Sequence, residues 1–377
     1  MSARLIDASA YRRALAVRDL TDAAHGAHAM QLLVQQAIRA LLDDWQCPVV
    51  VYRAPPLVPI GDNYDDLHYP SGGAARDARH TRYVSAEQLL RTQTSAMIPR
   101  ALRMVAPAHY DDVLLACPGL TYRRDAIDRL HVGEPHQLDL WRIKRGVLGR
   151  DDLVRMIERV AGALLPGAPL RIDPASHPYT VDGLEVHAAV RGAWVEILEC
   201  GLVLPQLLAE AGYDATAYAG LAMGIGLDRA LMLRKGIDDI RALRSDDPRI
   251  AVQMSDLGPY RPVSVQPAIQ RDLSIAVASD CTVEELGDRI RAALPERIAA
   301  GLEEISVVSE TSYAELATAA QRRLGIGAHQ KNVLLRLVIR DLERTLTSHE
   351  ANQLRDRVYD VLHEGSVKTW AARETQL

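Results

Sequence analysis

Residues Thr121–Asp139, TYRRDAIDRLHVGEPHQLD, decide how the chain is read. The apolar run Asp112–Ala116 just before them has strand character, and extended chain continues over Gly119–Asp125. Leu138–Ile143 has the composition of an antiparallel return strand. The result is two strands joined by a polar loop. Arg123 falls on the outgoing strand, His131 in the loop, and Gln137 and Asp139 on the return strand.

Outward from this hairpin, helices and strands alternate. Ala29–Asp44 repeats Leu33, Ala37, Ile38, Leu41 and Leu42 at helical spacing, and Arg150–Leu164 is a second amphipathic helix. Cys47–Tyr52 is a short strand stopped by Pro55 and Pro56. Gly61–Arg79 is a polar loop, and Ser85–Val105 is expected to be helical. Three strands are predicted at Leu170–Ile172, Leu184–Val190 and Trp194–Leu198, followed by a helix at Pro205–Ala211. Gly220–Leu227 is a glycine-punctuated strand that runs through Asp228 and Arg229 into a helix. Helices crossing mostly hairpin-linked strands predict an α+β fold with an antiparallel sheet flanked by helices.

Gly258, Pro259, Pro262 and Pro267 mark a boundary between a first domain over residues 1–255 and a second domain over 262–377. In the second domain the predicted order is strand (Asp272–Val277), helix (Val283–Ala293), strand (Ile305–Glu310), strand (Asn332–Ile339), helix (Ser348–Glu364) and strand (Val367–Ala371). That βαββαβ order is ferredoxin-like.

Composition narrows the class. At 377 residues, 48% hydrophobic and 25% charged, the chain has the profile of a globular protein with room for a sizeable core. A net charge of −5 gives no global basic field to attract nucleic acid. Cys47, Cys117, Cys200 and Cys281 form no CxxC pair, so neither a zinc site nor a disulfide framework is expected. Apolar runs are too short to span a membrane, and Asp7 and Asp19 argue against a leader peptide. The expected location is cytoplasmic. There is no phenylalanine in the chain, and the sequence does not decide between drift and selection as the reason.

Five segments together resemble the phenylalanyl-tRNA synthetase family of class II synthetases. Thr121–Asp139 resembles its motif 2, and Gly220–Arg229, GLAMGIGLDR, its motif 3. Leu89–Ser95, LLRTQTS, and Trp194–Gly201, WVEILECG, are similar to two further elements. The C-terminal stretch Arg340–Asn352 looks like the family's anticodon-binding domain. The resemblance implies that the protein binds ATP and Mg²⁺ and joins an amino acid to AMP. It gives Arg123 to the α-phosphate, His131 to the outer phosphates and Arg229 to the adenine and γ-phosphate, with Asp125 compatible beside them. Glu196 would hold Mg²⁺, a hard-oxygen role that suits a carboxylate. The chemical need is for fixed cations where negative charge builds at phosphorus. Amino-acid contacts fall to Ser95, Gln137, Asp139, His177, Tyr179, Glu199, Ala222 and Gly224.

The pattern also breaks. The family's aromatic FPFT segment is His177-Pro178-Tyr179-Thr180 here, its pocket glycine is Glu199, and the glutamine that helps hold the substrate amino group is Ile98. Gln93 replaces a histidine, and Pro135 stands where a phenylalanine stacks on adenine. Glu199 has two readings: a pocket carboxylate that would favour a polar or cationic substrate, or the partner of a nearby arginine. His177 and Tyr179 are equally open to substrate-contact and packing roles. The expected function is an ATP-dependent ligase of altered amino-acid specificity. Its acceptor is tRNA or, because the acids match the arginines in the second domain, a peptide, carrier protein or small molecule. The rivals are a genuine phenylalanine–tRNA ligase and a non-catalytic paralogue that binds an amino acid or tRNA.

Overall fold

A computed structural model describes residues 5–190, 192–264 and 266–368. Contacts divide the chain into two units. The first takes the residues up to Arg123, then Glu134–Ile237 and Ala251–Tyr260. The second takes Arg124–Gly133, Asp238–Ile250 and the residues from Arg261 onward.

The first unit is built on a seven-stranded sheet. In chain order its strands are β1 (Val49–Val51), β4 (Asp112–Leu120), β5 (His136–Arg145), β6 (Leu170–Pro174), β7 (Thr180–Val190), β8 (Ala193–Val203) and β9 (Tyr218–Gly226). A separate two-stranded ribbon pairs β2 (Leu57–Pro59) with β3 (Gln88–Leu90). Across the large sheet the order is β1-β4-β5-β9-β8-β7-β6. Only β1 and β4 run parallel among these pairings; the rest are antiparallel, as hairpin connections require.

Alternation along β5 separates two faces. Leu138, Leu140 and Arg142 alternate with Gln137, Asp139, Trp141 and Ile143. Helices Ala29–Trp45, Arg150–Leu164 and Leu227–Lys235 pack together, and the Arg142 guanidinium lies 4.2 Å over the Trp45 ring at the end of the first of these. Their apolar stripes explain the packing: Leu33, Ala37 and Leu41 on one helix and Leu153, Ile157, Val160 and Leu164 on another are buried. Trp141 and Ile143 belong instead to a core cluster with Met97, Ile98, Leu102 and Leu207.

The hairpin read from the sequence is present, with Leu138 opposite Pro118 and Leu140 opposite Ala116, but β4 ends at Leu120, so Arg123 lies past the strand in an isolated bridge to Thr81. The helix expected over Ser85–Val105 is not. β3 occupies part of that span, and α-helix begins at Ile98 with Pro99 in its first turn. Long-range bonds hold the earlier part away from helix: the Thr92 and Thr94 N–H groups donate to the side chains of Asn63 and Gln137. Gly61–Arg79 also contains short helical turns at Asp65–Leu67 and Ala74–Arg76.

The second unit carries a three-stranded antiparallel sheet, β10 (Ile269–Ala278), β11 (Leu302–Ser312) and β12 (Gln330–Ile339), in the order β10-β12-β11. Helices Val283–Ala293 and Ser348–Leu362 supply Leu286, Ile290, Val358 and Leu362 to its core. Thr282 with Glu285 and Thr347 with Glu350 form capping boxes that fix where these helices start. A further helix, Thr318–Leu324, was not anticipated. The strand expected at Val367–Ala371 lies largely outside the described residues.

Arg124–Gly133 is an integral part of this unit. Ile127 is buried in its core, and its carbonyl accepts the Ile305 N–H at 2.9 Å. Arg291 donates to the carbonyls of Asp125 and Ala126 at 2.6 and 2.7 Å, and Arg129 bonds the buried Glu303 at 2.6 Å. Among the described residues no helix is long and apolar enough to cross a membrane.

Candidate active site

The face of β5 that bears Gln137, Asp139 and Trp141 lies beside small residues on β9. Gln137 is opposite Gly226, Asp139 opposite Gly224 and Trp141 opposite Ala222. Glu199 and Gly201 on β8 continue the same rows, opposite Gly224 and Ala222. A β-carbon on Gly224 would stand 4.0 Å from the Asp139 carboxylate, an ordinary contact distance.

Asp139 is 2% exposed and accepts three side-chain hydrogen bonds. Thr94 Oγ1 donates at 2.6 Å, Ser95 Oγ at 2.9 Å and Trp141 Nε1 at 3.0 Å. Burial pushes its carboxyl up, and the three donors partly oppose that shift. Gln137 Oε1 accepts the Thr94 N–H at 3.1 Å. Ser95, Gln137 and Asp139 are therefore joined through the Thr94–Ser95 turn.

Next to them stands a row of rings. Tyr179 is stacked on Trp141 at 5.7 Å between centroids, and His177 on Tyr179 at 5.9 Å. Tyr69 meets Tyr179 at 6.3 Å and donates its hydroxyl to Gln93 Oε1 at 2.9 Å. Burial raises the Tyr69 phenol to about 12 and holds the Tyr179 phenol well above its ordinary value, so both stay protonated. His177 and Tyr179 are thus packed into one aromatic row. Glu199 is 46% exposed and does not depend on an arginine alone: His177 Nε2 is 3.2 Å from its carboxylate. That imidazole, with Arg123 farther off, holds the Glu199 carboxyl below its ordinary range against the effect of burial.

The cations expected at the phosphates fall in both units. In the first, Arg123 Nε donates to the Thr92 carbonyl at 2.9 Å. Arg229 Nη1 donates to the Glu196 carbonyl at 3.1 Å and is 3.9 Å from its carboxylate. Glu196 owes its position to a bulge. β7 and β8 pair Val186 with Leu198 and then His187 with Glu196, so Ile197 is an extra residue. Such an insertion re-aims the neighbouring side chain. Glu196 is 43% exposed. In the second unit, Asp125 offers its carbonyl to Arg291, and His131 Nδ1 lies 2.8 Å from Asp128. Burial works to raise the Asp128 carboxyl, but bonds from His131 and nearby N–H groups prevail and lower it.

Sequence reasoning missed His136. It is fully buried, accepts the Leu20 N–H on Nε2 at 3.0 Å and faces Asp228 with Nδ1 at 3.1 Å. A ring nitrogen that accepts an N–H carries no proton, so Nδ1 holds it and donates to Asp228. The Asp228 carboxylate also accepts the His136 N–H. This pair ties the start of β5 to the first turn of the Leu227–Lys235 helix, next to Arg229. Its signal was the acid beside Arg229, which had been read only as part of a motif. Arg91 was also missed: it is buried and donates to the Leu120 and Ala54 carbonyls at 2.7 and 2.8 Å, which fixes the end of β4.

A separate group, Asp173, Glu185 and His187, brings three ligand-type atoms within 4.8 Å on β6 and β7. Asp173 is already bonded by Arg171 at 2.7 Å, and the group carries no further assignment.

A mainly antiparallel sheet floored by glycines, with an arginine after β4 and another at the start of the helix after β9, is the setting in which the chain's class is read. Residues 56–254 match the family of class II core domains of tRNA synthetases (F), just over half of the chain, and the chain belongs to that family. It is 36% identical over 191 residues to the phenylalanine–tRNA ligase alpha subunit of Prochlorococcus marinus (strain NATL2A), covering 51% of this chain and 56% of that one. The corresponding subunit of Nostoc punctiforme is 35% identical over 191 residues, with the same shares covered. That of Geobacillus kaustophilus is 35% identical over 204 residues, covering 51% of this chain and 58% of its own. Within the class, the chain is a member of the phenylalanyl-tRNA synthetase family. It spans a little over half the length of these curated relatives.

Proposed function

We propose that the protein is an ATP-dependent ligase that activates an amino acid as its aminoacyl-adenylate. The observation that carries this reading is the buried carboxylate of Asp139 on a glycine-floored sheet face, with Arg123 just past the end of β4 and Arg229 in the first turn of the helix after β9. Asp139 and Gln137 receive the substrate ammonium. The carboxylate of the amino acid then attacks the α-phosphorus of ATP, and the bond to pyrophosphate breaks. Arg123 meets the negative charge that grows on the phosphorus oxygens, and Arg229 holds the rest of the nucleotide. Within the second unit, Asp128 keeps His131 oriented.

Glu196 suits Mg²⁺, because its half-exposed carboxylate is a hard oxygen donor beside the nucleotide-binding Arg229. When bound, the ion neutralises phosphate charge. The second unit is proposed to be ferredoxin-like, and its acceptor to be something other than tRNA. Its arginines support this. Arg336 pairs with Asp272 at 2.8 Å, Arg340 with Glu303 at 2.5 Å and Arg344 with Glu350 at 2.8 Å. A carboxylate beside each arginine offsets the positive charge that a phosphate would meet. The amino acid is proposed to differ from phenylalanine.

ATP–pyrophosphate exchange over an amino-acid panel, followed by charging of total tRNA, tests this reading. Exchange with at least one amino acid and no tRNA charging is expected. Absence of exchange with every amino acid would overturn the ligase reading, and efficient tRNA charging would overturn the change of acceptor.

A further inference from the structure

We propose that Trp141 closes the side-chain end of the amino-acid site, so that the acid activated has a side chain no larger than hydroxymethyl: glycine, alanine or serine. This rests on the proposed activation of an amino acid and names its substrate class.

The geometry comes from one strand. Along β5, Gln137, Asp139 and Trp141 follow one another on the same face, about 7 Å apart. Arg123 follows the end of β4 that is paired with His136, so it belongs to the Gln137 end of this row. A substrate with its ammonium at Asp139 and its carboxylate toward Arg123 meets Trp141 as the next side chain along the β5 row. The indole is fully buried among Ile98, Leu102 and Ala222. Its N–H is bonded to Asp139 and its face is covered by Tyr179. Tyr179, His177 and Tyr69 continue the row of rings from the indole. A tryptophan buries on the order of 150–250 Å², so the space that a large substrate side chain would need is already occupied.

The indole also changes what Asp139 can accept. A carboxylate offers about four lone-pair positions. Thr94, Ser95 and Trp141 take three, which leaves one for the substrate ammonium. A rigidly held indole that is both wall and hydrogen-bond donor would not move aside without breaking that bond and uncovering Tyr179. The His177–Glu199 pair supports the same conclusion, because Glu199 already has a cationic or hydrogen-bonding neighbour and does not need a cationic side chain from the substrate.

The test uses the full chain. In ATP–pyrophosphate exchange with glycine, alanine, serine, leucine, phenylalanine, histidine and lysine, one of the first three should give the highest kcat/KM. Trp141→Leu and Trp141→Gly should shift the preference toward leucine and phenylalanine by about tenfold or more relative to alanine. A highest value for phenylalanine or another large acid in the wild type, or an unchanged ranking in a folded Trp141 variant, overturns the proposal. If no amino acid supports exchange, the ligase reading fails, and thermal unfolding with the same acids decides this inference separately. Glycine, alanine or serine should then raise the wild-type Tm while phenylalanine does so only in a variant. Stabilisation of the wild type by phenylalanine, or by none of the small acids, overturns it.

Discussion

At one end of the active sheet face the side chains are polar and partly exposed; at the other they are apolar, aromatic and closed. Arg123, Glu196 and Arg229 mark the first end, where Arg229 remains 28% and Glu196 43% exposed. Trp141, Ile98 and Ala222 mark the second, each 2% exposed or less. Asp139 sits between and is held from both sides, by Thr94 and Ser95 and by Trp141. The two ends answer to different physics. Phosphate chemistry needs charge that can reach a solvated nucleotide, and few substitutions preserve it. Selecting a side chain needs only shape, and one large residue changes it. A family member can therefore keep the first end and rebuild the second.

Removing Arg123 should have the largest effect. Arg123→Ala is expected to lower exchange by about 10²–10³-fold through kcat, with the far-UV spectrum unchanged. A loss confined to the KM for the amino acid would instead place Arg123 at the second end. Asp139→Asn comes next, because it takes charge away from the junction of the two ends. A hydrogen bond to a charged group is worth about 1.5–3 kcal/mol, so the KM for the amino acid should rise roughly 10- to 100-fold with a smaller change in the KM for ATP. Equal changes in both would merge the two ends into one.

The smallest expected effect is at the rim. His177 holds the Glu199 carboxyl below its ordinary range, so this pair contributes stability above the usual value of 4.5 and loses it as the pH falls below that value. His177→Ala should reduce stability at pH 7 by well under about 1 kcal/mol, since Glu199 is nearly half exposed. It should also flatten the fall in stability on acidification. Denaturant unfolding of both proteins on either side of that pH measures the difference. A steeper acid limb in the variant would show that Glu199 draws its stabilisation from elsewhere.

How much of this could be read from sequence follows from the range of the interactions. The hairpin around Thr121–Asp139 and the helices Arg150–Leu164 and Val283–Ala293 were legible because their periodicity is local. The span Ser85–Val105 was not, because Asn63 and Gln137, both distant in sequence, capture its threonines. Asp139 could be picked out as a candidate site residue from its motif, but its neighbour two residues on could not. Trp141 looks like any strand residue until its register opposite Ala222 is known. The pairing of His177 with Glu199 likewise depends on two strands meeting, and no spacing announces it.

The segment Arg124–Gly133 has a consequence for how the chain comes together. It is made early in synthesis, yet Arg291, Glu303 and Ile305, which hold it, follow more than 150 residues later. β4 and β5 can pair as soon as both exist, because a hairpin closes over a short distance. The loop at their tip then waits, with Ile127 uncovered, until the ribosome has delivered the C-terminal third. Assembly of this protein is therefore not complete, domain by domain, in the order of translation; its last step reaches back into its middle.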